Sequence, residues 1–106
     1  MSEDGFDLII HAPNRLKICA LLDSVERAEF GVVQERLGVS ASVLSKHVGV
    51  LMDAGYVRQD KAVRDTRQRV WLLLTSAGRE AYRGHVAALH EIVAQASEPA
   101  VGGGDA

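Results

Sequence analysis

Leu44-Ser45-Lys46-His47-Val48-Gly49-Val50-Leu51-Met52-Asp53-Ala54-Gly55-Tyr56-Val57 is the stretch on which the fold turns. Leu44, Val48 and Leu51 recur at i, i+4 and i+7, the spacing that gathers apolar side chains on one side of a helix. Ser42, Val43, Ser45, Lys46 and Gly49 are left on the opposite side, and Gly49 should weaken the helix by roughly 0.5–1 kcal/mol relative to alanine. Gly55 stops the helix. Tyr56 and Val57 then open a strand, where aromatic and β-branched side chains are favoured.

Upstream, Ser40 is a good N-cap for this helix. Gly38 ends the helix before it, because glycine enters the left-handed conformation at little cost. That earlier helix covers Gly31 to Leu37, with Phe30, Val33 and Leu37 spaced three and four apart. Ala28-Glu29-Phe30 reads either as a short strand or as the entry to it. A further helix runs from Arg15 to about Ser24, with Pro13 suited to its first turn. Leu16, Cys19, Ala20 and, one turn on, Leu22 and Asp23 give it a mostly apolar face. Phe6, Leu8, Ile9 and Ile10 form an apolar cluster too short for a core helix of its own, and suit a preliminary turn packed on a partner.

Downstream, Tyr56 to Val63 and Arg69 to Leu74 read as a hairpin. Its tip, Val63-Arg64-Asp65-Thr66-Arg67-Gln68-Arg69, carries neither Asn-Gly nor Pro-Gly, so the turn type is open. Val70, Leu72 and Leu74 point one way, Trp71 and Leu73 the other. Thr75 is placed to cap a final helix reaching about Ala96. On it Leu89, Ile92, Val93 and Ala96 form an apolar stripe, preceded by Ala77, Ala81, Tyr82 and Ala88. Residues 1–5 and 98–106, the latter with Gly102-Gly103-Gly104, read as flexible tails around one domain of residues 6–97.

Charge follows the same pattern. The chain of 106 residues has a net charge of −2. Residues 40–69 hold six Lys/Arg against three Asp/Glu, a net of +3, while the segments on either side are acidic. Phosphate contact depends on a local basic patch rather than the whole-chain sum. A polar-faced helix followed by a basic hairpin suits a DNA groove and its flanking phosphates. The acidic start lacks the basic region of a secretory signal, and no apolar run approaches the roughly 20 residues of a membrane span. Cys19 is the one cysteine, so no intrachain disulfide can form. A cytoplasmic protein without membrane association is expected. The sequence presents no nucleophile–base pair, no phosphate-cradling glycine loop and no metal-ligand cluster, so neither enzyme activity nor a cofactor or metal is expected.

Five short motifs in fixed order carry a resemblance. They are His11-x-Pro13-x-Arg15-Leu16-x-Ile18, Leu37-Gly38-Val39-Ser40, Leu44-Ser45-x-His47, Leu51-x-x-Ala54-Gly55-Tyr56-Val57 and Leu74-Thr75-x-x-Gly78-Arg79. Together they cover roughly residues 9–83. The chain resembles the MarR/ArsR-like transcriptional regulators of bacteria and archaea, in particular their compact single-domain winged helix DNA-binding form. The implied fold is α+β and mainly helical: a winged helix-turn-helix with a two-stranded wing and a long C-terminal helix. The resemblance implies a homodimer joined through the first and last helices, with recognition helices in successive major grooves and wings on the adjacent minor groove or backbone. Wings of this family often carry glycine and proline; this one has neither and contains an acid.

On that basis a recognition helix of about residues 40–54 and a basic wing of about 63–69 are expected to meet double-stranded DNA. Ser40, Ser42, Ser45 and Lys46 can reach bases or phosphates, and Arg64, Arg67 and Arg69 can pair with phosphates or enter a narrow minor groove. Arg58 and Lys61 are lesser candidates, and Asp65 is expected to pair with a neighbouring arginine. Leu8, Ile9, Leu89, Ile92 and Val93 are the candidate dimer contacts. His47 is expected to be half-buried packing, and Cys19 a small buried hydrophobe. His85 and His90, five apart, do not share a helical face, which argues against a metal site. The helices of a dimer leave room for a small effector, which nothing in the sequence identifies. The competing reading is a winged-helix protein-interaction or dimerisation module without DNA binding.

Overall fold

In the computed structural model residues 4–99 are described, the side chain of Arg64 excepted. The elements run α1 (Leu8–His11), α2 (Pro13–Asp23), β1 (Ala28–Glu29), α3 (Phe30–Leu37), α4 (Ala41–Asp53), β2 (Val57–Arg64), β3 (Arg67–Leu74) and α5 (Ser76–Ser97). Of the expected tails, Asp4 and Gly5 form a turn and Glu98 leaves α5 in an extended conformation; residues 1–3 and 100–106 lie outside the described residues.

Several helix boundaries have a local cause. Asp7 caps α1, its Oδ1 accepting the N–H groups of Ile9 and Ile10. Pro13 opens α2, where its missing N–H has no partner to lose. Gly38 closes α3 at φ 69°. Ser40 Oγ accepts the Val43 N–H at the start of α4, and Thr75 Oγ1 accepts the Gly78 N–H at the start of α5.

The sheet is antiparallel with the order β1-β3-β2. The expected two-stranded wing therefore has a third strand: Ala28 pairs with Leu72 and Glu29 with Trp71. Both readings of Ala28-Glu29-Phe30 hold in part, since the strand ends where α3 begins. The wing stem is longer than expected and its tip shorter. Val57 to Arg64 pairs with Leu74 to Arg67 without interruption. Only Asp65 and Thr66 turn, at φ 52° and 62°. Positive φ at both central positions is the signature of a type I′ turn, whose twist matches that of the strands it joins.

Ile10, Ile18, Cys19, Leu22, Val33, Leu44, Val48, Leu51 and Leu72 form the centre of the core, each almost or wholly removed from solvent. Leu44, Val48 and Leu51 thus anchor α4 as the heptad spacing requires, and Cys19 is the buried hydrophobe expected. Two readings are corrected. Ile10 belongs to this core rather than to a partner-facing cluster, because α1 is folded back against α2 and α5. On α2 it is Ile18, with Cys19 and Leu22, that faces inward, while Ala20 is exposed. One polar residue also sits at the centre: His85 is fully buried.

Tyr56 links the end of α4 to the caps of α5 and α1. Its N–H donates to Leu51 O at the end of α4, its carbonyl accepts the Thr75 N–H, and its hydroxyl donates to Asp7 Oδ2 at 2.6 Å. Gly78 packs directly on that carbonyl: a Cβ there would stand 2.0 Å from Tyr56 O. The close approach sets α5 against the junction of α4 and β2.

Candidate nucleic-acid interface

The outward side of α4 carries what its inward side leaves free. Ser42, Ser45 and Lys46 are exposed, as is Ser40 at the cap. Ser40 Oγ and Ser42 Oγ stand 3.3 Å apart, so the first turn of the helix presents two hydroxyls together. Val43, at 38% exposure, adds an apolar contact beside them. Such a methyl-bearing side chain can meet a thymine methyl group in a major groove. Sequence reasoning placed Val43 outward without giving it a role.

His47 is half-buried, as expected, and its partner is a further finding. The Arg15 guanidinium of α2 reaches His47 Nδ1 at 3.2 Å and also donates from Nε to Ile9 O at 2.5 Å. Burial, then the charges of Arg15 and Lys46, hold the His47 pKa below its ordinary value. Arg15 thereby fastens α1, α2 and α4 together. The motif His11-x-Pro13-x-Arg15 could have flagged the residue, but its partner lies 32 positions away.

On the wing, alternation sorts the basic residues. Arg67 and Arg69 share one face of β3 with Trp71 and Leu73, since residues two apart in a strand point the same way. Arg67 is exposed. Arg64 faces Arg67 across the strands by register; its side chain lies outside the described part. Arg69 has a partner that the sequence did not reveal. Its NH1 donates to Glu29 Oε2 at 2.7 Å, so it ties the wing stem to β1 and its charge is matched. Its Nε is buried without a partner among the described residues. Arg58 is likewise occupied by Asp60, at 3.3 Å, while Lys61 is exposed. Asp65 occupies the first position of the turn. The accessible cations that remain on α4 and the described wing are Lys46, Lys61 and Arg67.

The candidate dimer residues fall into two groups. Leu8 and Val93 are 76% and 61% exposed and Ile9 is 36% exposed, large apolar surface for a chain of this size. Leu89 and Ile92 are half-buried on α5. Elsewhere on the surface, a groove between α2, α3 and β1 is lined by Leu21, Val25, Val32 and Trp71, with Lys17 and Arg36 beside it. Arg27 lies over the Trp71 ring, 4.2 Å from its centroid.

Residues 14–93 match the family model described as the winged helix DNA-binding domain. The chain belongs to the winged helix DNA-binding domain family. An uncharacterized protein of Methanocaldococcus jannaschii is 31% identical to this winged-helix chain over 78 residues, covering 74% of the chain and 85% of that protein. Among solved structures, a transcriptional regulator homologue from Pyrococcus horikoshii superposes with a TM-score of 0.80 at 27% identity, over 85% of this chain and 89% of that one. YusO from Bacillus subtilis shares the fold, with a TM-score of 0.76 at 19% identity over 91% of this chain and 67% of its own. The winged-helix chain thus has the architecture of a MarR-like transcription regulator, mainly helical with a small antiparallel sheet and a long C-terminal helix. Among the described residues no helix is long and apolar enough to cross a membrane.

Proposed function

We propose that the chain is a sequence-specific regulator of transcription that binds double-stranded DNA as a homodimer. Residues 6–97 are the DNA-binding and dimerisation unit in this reading. Family membership supports DNA as the partner. The observation that carries the assignment of residues is the outward face of α4: a helix held to the core by Leu44, Val48 and Leu51 presents Ser40, Ser42, Ser45 and Lys46 together. The helix start reads the major groove, and Arg67, with Arg64 opposite it in the register, meets the phosphates or minor groove alongside. Arg69 contributes by holding the wing on β1 through Glu29 rather than by touching DNA. Leu8 and Ile9 of α1 and Leu89, Ile92 and Val93 of α5 form the contact between copies. Two recognition helices then address half-sites about 34 Å apart.

The test is selection of duplexes from a genomic library with the purified protein, followed by affinity measurements across salt. Log affinity against log salt is expected to fall with a slope near −0.9 per phosphate contacted. Arg67→Ala should reduce that slope by about one, and Lys46→Ala should weaken binding to the selected site. Duplex binding unchanged by both substitutions would remove the site assignment. No duplex binding even at low salt, beside a stable complex with another protein, would favour the protein-interaction module instead.

A further inference from the structure

Phe6, Asp7 and His11 of the first segment converge on His85, more than 70 positions away, where that segment crosses α5. The Asp7 backbone N–H donates to His85 Nδ1 at 2.9 Å. A ring nitrogen that accepts an N–H carries no proton, so the neutral His85 ring is protonated on Nε2. That Nε2 stands 3.2 Å from His11 Nδ1 and donates to it, which leaves His11 protonated on its outer nitrogen. Phe6 packs against both rings, with centroids 4.8 Å from each. Gly5 passes so close to α5 that a Cβ on it would lie 2.8 Å from Gly84 O. The pair is not arranged for a cation, because Nε2 of His85 has spent its lone pair on the ring and its proton on His11.

The geometry points to a proton-operated latch: the His85–His11 pair holds the Asp7–His11 segment on α5 while both rings are neutral, and releases it when either takes up a proton. A proton on His85 Nδ1 would oppose the Asp7 N–H, and a proton on His11 Nδ1 would oppose the His85 Nε2–H. Two donors then face each other in either case. His85 is fully buried and His11 is exposed, so protons arrive through His11.

The neighbouring groups leave this balance in place. The Asp7 carboxylate favours the charged ring, but Tyr56 holds its Oδ2 and the N–H groups of α1 hold its Oδ1. Burial first, and His11 second, keep the His85 pKa below its ordinary value, against the pull of Asp7. From α2, Arg15 is engaged by Ile9 O and His47, Asp23 by Arg79 and Arg83, and Cys19 remains a thiol. Arg67 and Arg69 lie at the far end of β3. Asp4 and His90 are exposed. Release would also free the Asp7–Tyr56 bond and displace Leu8 and Ile9; only the consequence for dimerisation rests on the proposed interface.

Nuclear magnetic resonance on the full chain tests the latch without DNA. Ring nitrogen shifts at about pH 7.5 should show the Nε2–H form of His85. As the pH falls toward about 5.5, across the usual histidine range, protection of the Asp7 amide, corrected for intrinsic exchange, should drop about tenfold per pH unit below its midpoint. The Leu51 and Leu72 amides should keep theirs. In His11→Gln a side-chain carbonyl accepts the same bond without titrating, so the drop should move to lower pH. The latch is overturned by an Nδ1–H form of His85, by Asp7 protection that ignores pH or vanishes together with that of Leu51 and Leu72, or by a profile that His11→Gln leaves in place.

Discussion

A methyl group added at Gly49 would meet no atom within 4 Å, whereas one added at Gly78 would fall 2.0 Å from the Tyr56 carbonyl. Both glycines lie inside helices, so alanine improves local helix propensity at each by roughly 0.5–1 kcal/mol. Gly49→Ala should therefore raise stability by about that amount in urea denaturation. At Gly78 the obstructing atom is backbone already committed to Thr75, and it cannot swing aside. Gly78→Ala should cost about 3 kcal/mol or more, read as a fall in the urea midpoint. Cys19 gives a third residue-scale expectation. Burial, with Asp7 and Asp23 nearby, pushes its thiol up to about 12. Since the thiolate is the reactive form, a disulfide reagent should modify Cys19 only as fast as the protein unfolds; rapid labelling of the native protein would contradict the packing.

Among the elements, α4 was legible because its signals are local: Gly38 and Ser40 before it, three apolar residues along it and Gly55 after it. Ser40→Ala should cost about 1 kcal/mol, the usual loss for a capping hydroxyl, without altering the fold in circular dichroism. The wing was legible as a hairpin but not in its tip. Asp-Thr has no intrinsic preference for two left-handed residues, and the long pairing of β2 with β3 imposes them. A β-branched threonine at φ 62° is an uncommon arrangement. Replacing Asp65-Thr66 by Asn-Gly should relieve it and stabilise the protein by roughly 1–2 kcal/mol, measured as a raised thermal midpoint. β1 was ambiguous because two residues carry no periodicity. The pairing of Arg69 with Glu29 depends on that strand, so it was not visible from the arginine's neighbours in sequence alone. His85 was missed as a core residue for a similar reason, since its partner Asp7 lies 78 positions away.

For the whole molecule, extents of 69 × 25 × 21 Å describe a body much longer than it is wide. A 22-residue helix alone spans about 33 Å, and α5 carries exposed Val93 toward its end. In the proposed dimer that surface is covered. Sedimentation should then give a mass near twice 11.4 kDa, and Ile9→Glu with Val93→Glu should return it to a single chain. Stability should also depend on pH with a definite sign. His47 and His85 both have pKa values lowered from 6.5, chiefly by burial. The unfolded chain takes up protons there more readily than the folded one, so stability is full above about 6.5 and declines as the pH falls below it. A urea midpoint that rose on acidification through that window would refute the assignment.

Trp71 is the single tryptophan of the chain, and Arg27 lies over its ring beside the groove of α2, α3 and β1. The protein therefore carries one intrinsic fluorophore at one defined address. Its emission colour and quenching report whether the stacked guanidinium leaves or the groove fills, with no competing indole. A shift on adding a small molecule would locate that molecule's effect at this face, while a change seen only on adding duplex would show that β3 itself is disturbed when the wing engages.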